Sequence, residues 1–364
     1  MKSKAKNLCL ICLMSVILGG FSVWAFLKPA DKFSESERRM LASFPKFSAD
    51  TVMSGKFAKD FESYVTDQFP MRETFRSAKA FFSLYALGRS DVGGVFVSDS
   101  HISKIEYPMS TSSIDYAARK FRRIYEKYLA DSGAHVYLAV IPDKNSFVSK
   151  NVPKIDCEKF AEYLREKTDF MEYIDIFPFL SLDDYYRTDI HWREEKISDV
   201  ASELAERMGT VLHAKFKKEL VSNDFRGVYY GQLALSVRPD ELYVQRSEFL
   251  DKCRVFDYES EREIPVYNMD KLNGYDFYEV FLSGPLSLIT IENPNSTSEK
   301  ELVLFRDSFG SSIAPLLAEG YSKTTLVDIR YLSSELLSSF ISFDNTDVLF
   351  LYCTTVLNNS IAFK

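Results

Sequence analysis

The residues best suited to chemistry are a serine, a histidine and an aspartate in two distant stretches. Ser308 lies in Phe305-Arg306-Asp307-Ser308-Phe309-Gly310, between the apolar run Leu302–Phe305 and a helical pattern over Ser311–Ala318. In parallel α/β sheets ligands gather beyond the carboxyl ends of the strands. A serine at that turn presents its hydroxyl to a cleft, and amides at the helix start face an anion there. This suits a nucleophile. The turn also reads as a helix cap in which Asp307 or Ser308 satisfies orphan amides, and the local sequence leaves both readings open. A serine nucleophile needs a base. The candidate is His191, in Thr188-Asp189-Ile190-His191-Trp192. On an extended or looped backbone Asp189 shares its face, orients the imidazole and stabilises the imidazolium. A helix-entry role for His191, with Asp189 as cap, is the alternative. His101 in a polar turn, and His135 and His213 beside apolar residues without a nearby carboxylate, read as structural. Lys144 and Arg330 follow predicted strands and either line the cleft or form structural ion pairs.

These residues need a scaffold, and the apolar patterning supplies one. His135–Ile141 ends in Pro-Asp-Lys, the pattern of a buried parallel strand. Strands are expected near 95–97, 102–105, 173–176, 302–305, 324–327 and 348–352. Helices are expected over 54–66, 72–87, 116–128, 157–169, 311–318 and 332–340. Strands alternating with helices predict a three-layer α/β domain with a largely parallel sheet. Residues 215–300 differ. They are rich in Tyr, Arg, Glu and Asn, with strand-like pieces at 254–256, 264–267, 277–281 and 286–291, and read as an inserted antiparallel lobe. Residues 28–50 read as a polar stalk, which leaves 51–364 as the main domain.

Leu8–Leu27 carries no charge and as a helix spans roughly 30 Å, the thickness of a hydrocarbon core. Residues 1–27 are thus expected to be a cytoplasmic tip and a transmembrane anchor. Lys2, Lys4 and Lys6 precede the run and hold that end in the cytoplasm, so the rest is expected outside the plasma membrane. A cleaved signal peptide is the alternative. Hydrophobic residues are 46% and charged residues 27% of the 364, which excludes disordered and fibrous classes. Setting aside those three lysines leaves 42 basic residues against 52 acidic, a net of −10. Such a body is not expected to coat DNA, RNA or an anionic membrane non-specifically. With four histidines, and cysteines at 9, 12, 157, 253 and 353, neither a metal centre nor a bound cofactor is indicated. One bridge among Cys157, Cys253 and Cys353 stays open.

Asp189-x-His191-Trp192, followed much later by Asp307-Ser308-Phe309-Gly310, resembles the DHHW proteins and their relatives, the alginate O-acetyltransferases of the bacterial envelope. Further matches run in order: Glu37-Arg38-Arg39-Met40-Leu41 with Phe44-Pro45, Ser54-Gly55-Lys56-Phe57, Asp67-Gln68-Phe69-Pro70-Met71-Arg72, Gly94-Val95-Phe96, Ile141-Pro142-Asp143-Lys144 and Asp328-Ile329-Arg330-Tyr331. Where the family name has a second histidine, this chain has Ile190. The resemblance implies an SGNH hydrolase-like sandwich with the Asp-x-His element moved ahead of the serine, as in a circular permutation. It makes Ser308 the nucleophile, His191 the base and Asp189 its orienting acid. The backbone amides of Ser308 and Phe309 are the default oxyanion donors. The implied activity is acetyl transfer to a polysaccharide acceptor, with a multi-pass membrane acyltransferase supplying acetyl groups. An acetylesterase and a non-catalytic glycan-binding scaffold are the competing readings. Phe225–Gln232 (FRGVYYGQ) is the most attractive loop for stacking on sugars.

Overall fold

The computed structural model describes residues 2–235 and 237–364. The chain divides into two compact units, Met1–Val92 with Tyr230–Ser236, and Gly93–Tyr229 with Val237–Lys364.

In the first unit, α1 (Lys2–Leu27) is a helix whose Lys4–Leu27 portion is long and apolar enough to cross a membrane, with mean hydropathy 2.3. Residues 28–50 carry local structure of their own. A two-strand ladder pairs Phe33–Ser34 with Arg39–Met40, and side chains tie it to α2 (Lys56–Asp67) and α3 (Arg72–Phe81). Arg39 grips Asp67 through two nitrogens at 2.9 and 2.6 Å, and Arg72 meets Glu37 at 2.6 Å. The Arg39 hydrogen bond holds the Asp67 carboxyl down to about 2. The Gln68 amide donates to the carbonyls of Asp31 and Ala42.

The second unit is built on an eight-stranded sheet. Its strands are β1 (His135–Ile141), β2 (Glu172–Tyr173), β3 (Arg254–Asp257), β4 (Arg262–Ile264), β5 (Leu288–Glu292), β6 (Glu301–Arg306), β7 (Lys323–Val327) and β8 (Asp347–Cys353), in the order β4-β3-β5-β7-β6-β8-β1-β2. The run from β7 to β2 is parallel, and β5, β3 and β4 extend it antiparallel. Half of the expected lobe is therefore the edge of the main sheet. The other half holds a hairpin of Lys217–Phe225 with Asp240–Arg246. Two expected elements change type: 277–281 holds a 3₁₀ turn over Phe277–Val280, and 332–340 holds one over Ser334–Ser339. Cys157, Cys253 and Cys353 are free thiols.

The central strands are buried on both faces, as the continuous apolar runs require. Leu302 and Leu304 of β6 and Leu349 and Leu351 of β8 face one core. They meet there α6 (Ser198–Arg207), through Val200 and Leu204, and α7 (Gly310–Leu317), through Ile313 and Leu317. Val303, Phe305, Val348 and Phe350 face the other, against α4 (Thr111–Ile124), through Ile114 and Phe121, and α5 (Cys157–Lys167), through Phe160 and Leu164. The result is three layers, with the carboxyl ends of β6 and β8 side by side. Phe350 is fully buried, stacked on Phe305 at 4.4 Å and tilted against Phe121 at 4.8 Å. Phe350→Ala is expected to cost about 3–5 kcal/mol, read as a lowered urea midpoint.

Candidate active site

Ser308 stands where β6 gives way to α7. Asp307, fully buried, does two jobs at this turn. Its Oδ1 accepts from the Phe309 N–H at 3.0 Å, and its Oδ2 accepts from the Cys353 N–H at the end of β8 at 2.7 Å. The capping role thus falls to Asp307, and the Ser308 hydroxyl is left for another partner. Gly310 is required because a Cβ there would come within 2.5 Å of Arg306 Cβ. Arg306 itself is buried; its guanidinium donates to the Leu286 carbonyl and lies 3.8 Å from Asp328.

The partner of Ser308 comes from 117 residues earlier in the chain. His191 Nε2 lies 2.7 Å from Ser308 Oγ, and His191 Nδ1 lies 2.6 Å from Asp189 Oδ1. A carboxylate only accepts, so Nδ1 carries a proton, and Nε2 faces the serine hydroxyl. The His191 N–H also donates to Asp189 Oδ1 at 3.1 Å, and the Val228 N–H donates to Oδ2 at 2.7 Å. Asp189 is 1% exposed, whereas Ser308 and His191 keep part of their surface open. Three N–H donors thus replace the water that a carboxylate loses on burial.

Several elements hold the 188–192 segment. The Thr188 N–H and hydroxyl both donate to Asp240 Oδ2, at 2.8 and 2.6 Å. The Lys144 ammonium is fully buried and donates to the carbonyls of Asp189 at 2.6 Å and Tyr186 at 3.0 Å. Gly227 packs on Asp189 so closely that a Cβ would lie 2.3 Å from Asp189 Cβ. Trp192 Nε1–H donates to Ser312 Oγ at 2.8 Å and to the Phe309 carbonyl at 3.2 Å, which bolts the histidine stretch to the helix after Ser308. The Tyr278 ring lies flat on the His191 ring, with centroids 3.8 Å apart and planes 9° from parallel, and its hydroxyl bonds Ser312 at 2.8 Å.

Ser308, His191 and Asp189 therefore come together as one hydrogen-bonded chain, a geometry in which a proton can pass from the hydroxyl to the ring. The amides near the serine divide. Phe309 N–H is committed to Asp307, Gly310 N–H to the Asp307 carbonyl and Ser311 N–H to the Ser308 carbonyl. Among the described residues the Ser308 N–H has no partner, so of the two expected oxyanion donors only Ser308 remains available. Lys144 lies under the site rather than along a cleft, and Arg330 is bound to Asp328 through two nitrogens at 2.9 and 2.6 Å. Phe225 and Tyr229 are 0% and 3% exposed, so they back the aspartate and do not stack on sugars. The roles of Tyr278, Asp240 and Gly227 are absent from the local sequence. Only Trp192, inside the Asp-x-His-Trp motif, carried a signal.

Burial pushes the Lys144 ammonium from its ordinary 10.5 down to about 8, against the pull of Asp189. Between those values the unfolded chain binds the extra proton, so the contribution of this group to stability rises with pH. The difference in unfolding free energy between wild type and Lys144→Met is expected to grow from below pH 8 to about pH 10. Urea titrations across that range measure it.

No family model and no curated protein matches this sequence. Solved structures do. A DHHW family protein from Eubacterium siraeum aligns with a TM-score of 0.58 at 19% identity, covering 75% of this chain and 94% of that one. PatB1 from Bacillus cereus, solved with a sulfonyl adduct, aligns with a TM-score of 0.59 at 16% identity, covering 72% of this chain and 95% of that one. At these identities the likeness establishes the architecture: this chain shares the fold of a DHHW family protein.

Proposed function

We propose that this protein is a membrane-anchored, extracytoplasmic O-acetyltransferase that acetylates a cell-envelope or exported polysaccharide through an acetyl-serine intermediate. The observation that carries the reading is the chain Ser308–His191–Asp189, with bonds of 2.7 and 2.6 Å and a partly open serine. The resemblance of the motifs at 189–192 and 307–310 to DHHW and alginate O-acetyltransferase sequences supplies the substrate class and the permuted, SGNH-like reading of the sheet. The apolar helix ahead of the fold supplies the anchor.

In the first half-reaction Ser308 Oγ attacks the acetyl carbonyl as its proton passes to His191 Nε2. The oxygen turned negative meets the Ser308 N–H, and Asp189 stabilises the imidazolium. The face of Tyr278 favours the same cation. Collapse expels the donor's leaving group, which takes the proton from Nε2. In the second half a sugar hydroxyl gives its proton to Nε2 and attacks the acetyl-serine. Ser308 leaves, reprotonated, and the sugar ester is complete. Water in place of the sugar yields acetate.

Ser308→Ala is expected to lower acetyl transfer by several powers of ten, about 5–8 kcal/mol of barrier. Asp189→Asn, which favours the wrong ring tautomer, is expected to lower it about 10⁴-fold. An activated acetyl ester with an oligosaccharide acceptor tests the reaction: acetyl mass increments on the sugar are the expected result. Acetate alone would make the protein an esterase, and equal rates for wild type and Ser308→Ala would leave it a scaffold. PatB1 carries a sulfonyl group, so a sulfonyl fluoride is a direct probe. Attack forms the S–O bond, fluoride departs, and the added mass should map to Ser308 in wild type and vanish in Ser308→Ala.

A further inference from the structure

The N-terminal unit exposes an apolar stripe that none of this chemistry uses. Met71, Phe75, Ala78 and Phe82 follow one another at i, i+4, i+7 and i+11, the spacing of one helix face. Met71 and Phe75 are each 49% exposed, Phe82 is 58% and the adjoining Phe81 59%; Tyr85, one turn on, is 68% exposed. A contiguous apolar face of this kind marks an interaction surface. Arg76 and Lys79 flank it, and among the described residues Lys79 and Arg89 form no ion pair.

The occupant follows from where this face meets α1. Phe75 belongs to the stripe and also touches Phe21 edge-on at 5.9 Å, while Phe69 stacks on Phe21 at 5.4 Å and 12°. Phe21 precedes the end of the apolar helix, Leu27, by six residues. At about 1.5 Å per residue this is about 9 Å inside the end of the span. Amphipathic helices that lie on a bilayer bury their apolar face about 5–10 Å below the headgroup boundary. The contact thus places α3 near the depth such helices adopt, and the half-exposed Trp24 of α1, three residues and about 4.5 Å inside the same end, lies where tryptophan favours the interface.

We infer that α3 and the turn after it, through Phe75, Phe81, Phe82 and Tyr85, lie in the interface of the bilayer that α1 crosses, with phospholipid acyl chains against the stripe and Lys79 and Arg89 at the phosphates. The inference rests on α1 being a retained anchor. The span and this face together form a two-part membrane attachment.

The test uses the full chain in its own membrane, with Phe82→p-benzoylphenylalanine or Tyr85→p-benzoylphenylalanine. Both positions are exposed, and an unchanged thermal unfolding midpoint checks folding. After irradiation, the expected product is the peptide bearing position 82 or 85 with the added mass of one phospholipid. A crosslink to another polypeptide, or to a second copy of this chain, overturns the inference. So does an absent adduct when Trp24→p-benzoylphenylalanine yields a lipid adduct in the same membranes. An alkaline carbonate wash separates the two levels. Release of the chain sinks the anchor reading and this inference together; retention with no lipid adduct at 82 or 85 sinks the inference alone.

Discussion

The geometry of the site depends on one buried carboxylate being fully supplied with donors and correctly aimed. Asp189 is almost wholly removed from water, and an isolated carboxylate in such a place neutralises itself rather than remain ionised. It is sustained by N–H groups of His191 and Val228 and by the ring nitrogen it orients. Each support has its own support. Val228 can approach only because residue 227 has no side chain, and the loop keeps its path only because Lys144 and Asp240 take up its carbonyls, amide and hydroxyl. Removing the negative charge would leave the imidazole with no reason to prefer one tautomer.

A second constraint acts on the serine side. Asp307 ties the turn both to its own helix and to the neighbouring strand β8. The position of Ser308 is therefore set by two parallel strands at once, not by a loop. Trp192 and Tyr278 converge on Ser312, in the first turn of α7. Through that hydroxyl Trp192, the stacking partner of His191 and the helix after Ser308 share one anchor point.

The elements that positioned these groups were legible to the extent that the information was local. Apolar runs ending in polar turns marked β1, β6, β7 and β8 because strands buried on both faces admit few other residues. The spacing of Asp189 and His191, and a serine between strand and helix, were readable for the same reason. Tyr278 was not. Phe277–Phe281 has the aromatic and β-branched look of a strand, yet the Asp276 carboxylate accepts from the Tyr278 N–H and bends the chain into a 3₁₀ turn. Phe225–Gln232 misled in another way: its aromatics looked like binding platforms, and only tertiary packing reveals that Phe225 and Tyr229 face inward. The strand pieces at 254–256 and 286–291 were visible, but not that they would join the parallel sheet at its edge, because pairing partners lie far off in sequence. The family resemblance linked the two halves of the site across that distance; composition and periodicity could not.

The flat contact between Tyr278 and His191 has a kinetic meaning. A ring stacked on one face and tethered at Nδ1 cannot swing to reach a second reagent elsewhere. Any reaction run on Ser308 has to bring each incoming and departing group past the same nitrogen, one after the other. Under the proposed acetyl transfer, donor and acceptor would compete for a single berth, and a ping-pong rate law with mutual substrate inhibition would follow from the stacking of two aromatic rings.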